Sequence, residues 1–376
     1  MRILPPSLAL LALAAAMRAH TPPSDAPSPK LVIMPLPEAA PAPPGNPATT
    51  GKIALGRLLF FDPVLSATGD VACATCHHPS LGWADGRATP LGVNAAGIGP
   101  ARRRARADQF PIVKRNAPTV LNAGFNGITI EGRCDPQTAP MFWDSRELSL
   151  EAQALAPIRA AEEMRGDVCA ESAAIGGAVK RVRDIALYRD LFAKAFGTGD
   201  VMTAVNLGKA IAAFERSLVT ADAPYDRFAR GDAAALTDLQ KRGLKAFESA
   251  GCPACHNGPM LSDYKLHFIG TPGQKENRDF RTPSLRNLKH TAPYMHNGSV
   301  ATIADVLIFY DRLMDASSET LDGGDAPAQP LDPLLKTLNV NPDDFAAIEA
   351  FLDGLNDDSY DRSMPDAVPS GLPVPK

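Results

Sequence analysis

Beyond its first twenty residues, the chain has no apolar run of the roughly 20 residues that a spanning helix requires. It also lacks a long block of lysine or arginine. With 38 basic against 42 acidic residues and a formal charge of -4, the composition argues against a nucleic-acid binder. The one short basic cluster, Arg102-Arg103-Arg104 with Arg106, reads as a solvated loop. Stretches alternating apolar and polar residues are scarce, which argues against a sheet-built fold. Histidine is sparse too: seven in all, and none between His78 and His256.

What is present divides into segments. Residues 1–19 carry Arg2, an apolar stretch from Leu8 to Met17 and small residues at Ala16 and Ala19, the pattern of a secretory signal peptide. Its removal would leave a charge of -6 and an exported, periplasmic protein. Residues 20–49, with ten prolines after position 20, read as a tether or an extended arm over the folded body. Asn46-Pro47 can open a first helix carrying Ile53, Leu55, Leu58, Leu59 and Phe60. From Leu65 to Gly132 the chain reads as loops. Helical patterns follow at 147–156, 184–196, 201–220, 235–249, 302–313 and 342–355. The class is mostly α, with long loops and two motif-bearing halves, 50–214 and 215–376.

Each half holds one C-x-x-C-H: Cys73-Ala74-Thr75-Cys76-His77 and Cys252-Pro253-Ala254-Cys255-His256. In that spacing two thiols form thioethers to one haem while the adjoining histidine reaches the iron. A shared zinc site would place the pairs about 15–20 residues apart; here Cys76 and Cys252 are 176 positions apart. A thioredoxin-type pair would need a βαβ context, which is missing. Two covalent c-type haems are therefore expected. The remaining Cys134 and Cys169 are expected to form a disulfide in an oxidising compartment, with two free thiols as the alternative. A second histidine ligand for the first haem would have to come from the second half or from His78, whose place beside His77 makes that strained, so the first haem is expected to keep an open position. An open iron binds peroxide, whereas one with two ligands mainly carries electrons.

From Gly51 to the C-terminus the sequence resembles the bacterial di-haem cytochrome c peroxidase and MauG superfamily, on its MauG-like branch. Carrying the resemblance are Leu55-Gly56-Arg57-Leu58-Leu59-Phe60-Phe61-Asp62, both haem motifs, Arg115-Asn116-Ala117-Pro118-Thr119 and Phe142-Trp143-Asp144. Arg281-Thr282-Pro283-Ser284-Leu285-Arg286-Asn287 and Thr291-Ala292-Pro293-Tyr294-Met295-His296-Asn297-Gly298 extend it. The resemblance implies two cytochrome c-like helical domains with one haem each. It makes Trp143 the electron stepping stone between the haems, and Gln153 and Glu163 the polar pair above the peroxidatic haem, with Pro157 packed on the same face. Asn116, Thr291 and Pro293 match inter-haem calcium ligands, a set of hard oxygens. Tyr310 stands where classical peroxidases place a methionine ligand and MauG-like members a tyrosine; Met314 is the alternative. A phenolate favours ferric and higher iron, whereas a thioether favours ferrous iron.

The implied activity is reduction of H₂O₂ at the first haem, with Glu163 moving the proton. Electrons would come through the second haem from a small donor such as a cytochrome c or cupredoxin. Two alternatives stand beside it: a MauG-like oxidase that modifies tryptophan or tyrosine of a partner protein, and a non-catalytic di-haem electron carrier. MauG has a surface tryptophan two positions before the first cysteine of its second motif; this chain has Ala250 there.

Overall fold

The structure is a computed structural model that describes residues 29–104, 112–274, 276, 278–315 and 329–376, without the side chains of 314 and 315. The expected signal peptide, Arg106 and the side chain of Met314 lie outside the described residues.

The first half begins with α1 (Thr50–Phe61), capped by Thr49, whose hydroxyl accepts from Lys52 N. The helix starts later than the Asn46-Pro47 signal suggested, because Asn46 is committed elsewhere. It is buried, its amide donates to Glu151 Oε1 and the Lys209 carbonyl, and its own oxygen accepts from Lys52 Nζ. Next come α2 (Cys73–Cys76), α3 (Leu150–Gln153), α4 (Ala156–Arg159), α5 (Glu171–Asp184), α6 (Ala186–Phe196) and α7 (Ala204–Arg216). The second half holds α8 (Pro224–Ala229), α9 (Asp238–Ser249), α10 (Ile303–Asp315) and α11 (Phe345–Asp353). Among the described residues, strands occur only as two-residue antiparallel pairs: 95–96 with 103–104, 140–141 with 147–148, and 266–267 with 280–281.

One packing device recurs in both halves. α1 crosses α7 at Gly56, where a Cβ would fall 1.9 Å from the Ala210 carbonyl oxygen. α9 crosses α11 at Gly243, where a Cβ would fall 1.8 Å from the Ala347 oxygen. Backbones this close exclude any side chain at the crossing. Each helix pair precedes or backs its own C-x-x-C-H segment.

Two apolar clusters result. The first draws on α1, α5, α6 and α7 and takes in Tyr360, Val368 and Val374 from the C-terminal tail. The second draws on α9, α10 and α11 and takes in Leu31 from the N-terminal arm. The chain ends therefore exchange halves. The arm is locked by backbone donation, Leu31 N to Glu248, Val32 N to Asn257 and Leu36 N to Asp226. The tail is locked on Asp62, whose carboxylate accepts from Tyr188, Ser370 and Val64 N.

Candidate functional site

The two C-x-x-C-H segments are built differently but aim their histidines the same way. Cys73–Cys76 is a single helical turn that His77 terminates. Cys252–Ala254 is a 3₁₀ turn entered through Gly251 at φ 80. His77 Nδ1 lies 3.3 Å from the carbonyl of Trp83, and His256 Nδ1 lies 3.0 Å from that of Leu261. Both acceptor residues hold left-handed backbone, φ 57 and φ 48. Nδ1 bonded to a carbonyl keeps the proton there and leaves the Nε2 lone pair for a metal. Burial lowers both histidine pKa values, so both rings are neutral, as ligation requires.

Each histidine opens onto a cavity. The first, about 620 Å³, is lined by Cys73, Cys76, His77, Gln153, Pro157 and Glu163. The second, about 330 Å³, is lined by Cys252, Cys255, His256, Met260 and Tyr310. Each cavity has the two thiols and the adjoining imidazole of one motif on its wall, which fits one haem per cavity; His77 reaches both. The cavities share a wall that includes Asn116, Phe142, Trp143, Gln153 and Glu215.

Glu163 stands in a π turn, Ala161–Arg165, seated against the loop at Gly92. Val93 N donates to the Glu163 carbonyl at 3.0 Å. A Cβ on Gly92 would lie 2.1 Å from the Glu162 oxygen, so only glycine admits this approach. Burial, with the neighbouring Glu162 charge behind it, pushes the Glu163 carboxyl up to about 7. A group poised there can both take and return a proton. Gln153 ends α3, and α3 is clamped to α7 by a bidentate pair in which Arg216 Nη1 and Nη2 each lie 2.7 Å from a Glu151 oxygen. No second histidine lines this cavity among the described residues.

Trp143 is held from both halves. Its Nε1 donates to the Asn116 carbonyl at 2.9 Å, and its carbonyl accepts from Arg281 N at 2.7 Å. Its ring meets His296 edge-on at 6.5 Å, and His296 stacks on Phe280 at 3.7 Å. Asn116 also donates from Nδ2 to the Arg87 carbonyl at 2.8 Å and the Pro293 carbonyl at 3.4 Å. Thr291 and Pro293, the latter preceded by a cis Ala292–Pro293 bond, line the second cavity beside it. Tyr310, on α10, lines the same cavity as Cys252, Cys255 and His256. Burial, with Cys255 and Cys252 behind it, raises its pKa and favours the neutral phenol.

One correction concerns the cysteines. Cys134 and Cys169 are both free thiols. Cys134 packs with Leu36, Phe125, Ile128, Met260 and Tyr264, its Sγ facing the Asn126 carbonyl. Cys169 follows the Glu163 turn, where its carbonyl is held by Arg165 at 2.7 Å. The expected disulfide is thus not formed, because the two thiols belong to different packing environments.

Sequence reasoning missed Glu215. It is 4 % exposed, Oε2 has no hydrogen-bond partner, and the side chain lines both cavities. Arg216 beside it is spent on Glu151. Burial pushes Glu215 up to about 8. In the sequence it is half of an ordinary Glu-Arg pair; only its place at the end of the amphipathic α7 pattern hinted at burial. Also missed were Gly92 and the pairing of His267 with Asp332.

Helices paired at a glycine, two C-x-x-C-H cavities and a tryptophan in their common wall define a di-haem protein of the cytochrome c peroxidase type. A family model described as di-haem cytochrome c peroxidase matches residues 50–234. The chain is 37% identical over 290 residues to the methylamine utilization protein MauG of Methylophilus methylotrophus, covering 73% of this chain and 76% of that one. It is 35% identical over 294 residues to the cytochrome c551 peroxidase of Pseudomonas aeruginosa, covering 73% and 75%. A solved MauG-like protein associated with microbial copper homeostasis is 28% identical, with a TM-score of 0.67 over 88% of this chain and 95% of that one. The chain belongs to the di-haem cytochrome c peroxidase and MauG superfamily and is a peroxidase-type oxidoreductase. No helix among the described residues is long and apolar enough to cross a membrane.

Proposed function

We propose that the protein is an exported, periplasmic di-haem enzyme that reduces H₂O₂ in the first cavity and draws electrons through the second. The halves 50–214 and 215–376 would each carry one haem, joined by thioethers from Cys73 and Cys76 and from Cys252 and Cys255. His77 would hold the first iron, and His256 with Tyr310 the second. When bound, the haems supply redox chemistry that side chains alone do not.

This chain's own residues do the rest. Glu163 accepts the peroxide proton on its carboxylate and returns it to the departing oxygen; with two electrons and two protons, H₂O₂ leaves as two waters. Gln153 orients the peroxide on the same wall. Trp143 bridges the two cavities. Asn116, Thr291 and Pro293 would present oxygens to one Ca²⁺ between the halves. The donor is a small redox protein such as a cytochrome c or a cupredoxin.

The observation that carries this reading is Glu163, half-buried and poised near pH 7 in a cavity with a single histidine. The test is peroxide turnover by the purified holoprotein with a reduced small cytochrome. A protein with two inert six-coordinate haems would instead be a plain electron carrier. A MauG-like oxidation of a partner's tryptophan or tyrosine is favoured by Tyr310 and by the likeness to MauG. Against it, Ala250 is buried and offers no aromatic exit at that position.

A further inference from the structure

His267 is buried, and both ring nitrogens face carboxylates. Nδ1 lies 2.6 Å from Asp332 Oδ2, and Nε2 lies 3.1 Å from Asp263 Oδ2. A neutral imidazole has one N–H and could satisfy only one of them. Two such contacts require the doubly protonated ring, and the hydrogen bond with Asp263 first, then that with Cys255 and then that with Asp332, raise its pKa. The set therefore holds two negative charges and one positive.

Its position is specific. Ligand atoms of Cys255, Asp263 and His267 lie within 4.8 Å of one another. Asp263 N donates to the Cys255 carbonyl at 2.8 Å, and Asp263 also accepts from Thr282. These three residues would resemble a metal site, but the Cys255 thiol belongs to the haem motif. On the far side, Asp332 N donates to the Phe268 carbonyl at 2.9 Å, and the segment that follows supplies Leu334, Leu335, Leu338 and Val340 to the second cavity's wall. His267 thus joins the haem-attachment loop to that wall. The other acidic and basic groups on this cavity are Glu215, Arg281 and Arg286; Glu215 is in the wall shared with the first cavity, and Arg286 is already paired with Asp226.

We propose that the Asp263–His267–Asp332 set places a fixed net negative charge beside the Cys255 attachment point and holds the second haem's reduction potential low, with His267 as the positioning residue that latches residues 332–340 onto the loop. The inference rests on the di-haem reading above. A half-buried negative charge beside the haem stabilises its more oxidised, more positive state, which works in the same direction as an oxygen ligand from Tyr310.

The test is a spectroelectrochemical titration of the holoprotein in which the two haems are followed separately, in wild type, Asp332→Asn and Asp332→Glu. Asp332→Asn keeps the shape and removes one charge. The expected result is a positive shift of the second haem's potential, an unchanged first haem, and a return toward wild type in Asp332→Glu. Asp332→Ser is the second neutral variant if Asp332→Asn does not accumulate. No shift at the second haem, or equal shifts at both, overturns the proposal. A methionine-type band in the wild type would contradict Tyr310 ligation yet leave this comparison intact, because the shift is read between variants.

Discussion

The indole N–H of Trp143 donates to the backbone carbonyl of Asn116 at 2.9 Å, and that bond fixes the ring in the wall common to both cavities. Arg281 N, from the other half, holds the Trp143 carbonyl. The ring is thus set by backbone groups of both halves, so its orientation follows their mutual placement. Trp143→Phe removes the N–H and the larger π system while keeping most of the packing. The expected outcome is a first haem that still reacts with peroxide but exchanges electrons with the second at least tenfold more slowly in stopped-flow absorbance.

Glu163→Gln keeps shape and removes the proton carrier. Loss of general acid–base catalysis costs on the order of 10²–10⁴-fold, and this is expected in kcat/KM for H₂O₂. Wild-type activity should rise with pH through about 7, as the carboxyl becomes the base that takes the peroxide proton. In Glu163→Gln that limb should be flat.

Gly92→Ala places a methyl against the Glu162 and Glu163 carbonyls. Overpacking of this kind costs about 1–3 kcal/mol, and the π turn carrying Glu163 is the element that must give. A lower Tm together with a shifted pH limb of activity is expected.

Glu215 gives a pH-dependent stability. Its folded pKa, about 8, exceeds the ordinary 4.5, so between those values the folded protein binds more protons than the unfolded one. Its contribution therefore favours folding at low pH and is lost as pH rises toward 8. Glu215→Gln removes that loss. Thermal melts should show the variant gaining on wild type from pH 6 to pH 9, by on the order of 1–3 kcal/mol.

The haem motifs were legible because thioether chemistry demands contiguous spacing, which survives in one dimension. Glu163 and Trp143 were legible only through the family resemblance, since an adjacent acid pair or a single tryptophan says nothing of a cavity. α5 escaped because its buried stripe is Ala174, Ala178 and Val182, interrupted by Gly176-Gly177 and opened by no capping side chain. His267 and Asp332 stand 65 positions apart, so neither predicts the other. The disulfide expectation rested on counting cysteines, and packing decided otherwise. The exchange of chain ends between the two cores leaves no local signal either, because each end contributes only a few apolar residues to a distant cluster.

The central claim is that the first haem has an open position and that Tyr310 completes the second. It is tested most directly by absorption and EPR spectra of the ferric holoprotein, before and after one equivalent of H₂O₂. The account predicts one high-spin and one low-spin haem, no methionine-type charge-transfer band, and an immediate reaction in the resting protein. A methionine band with reactivity only after half-reduction, or two low-spin haems inert to peroxide, would contradict it.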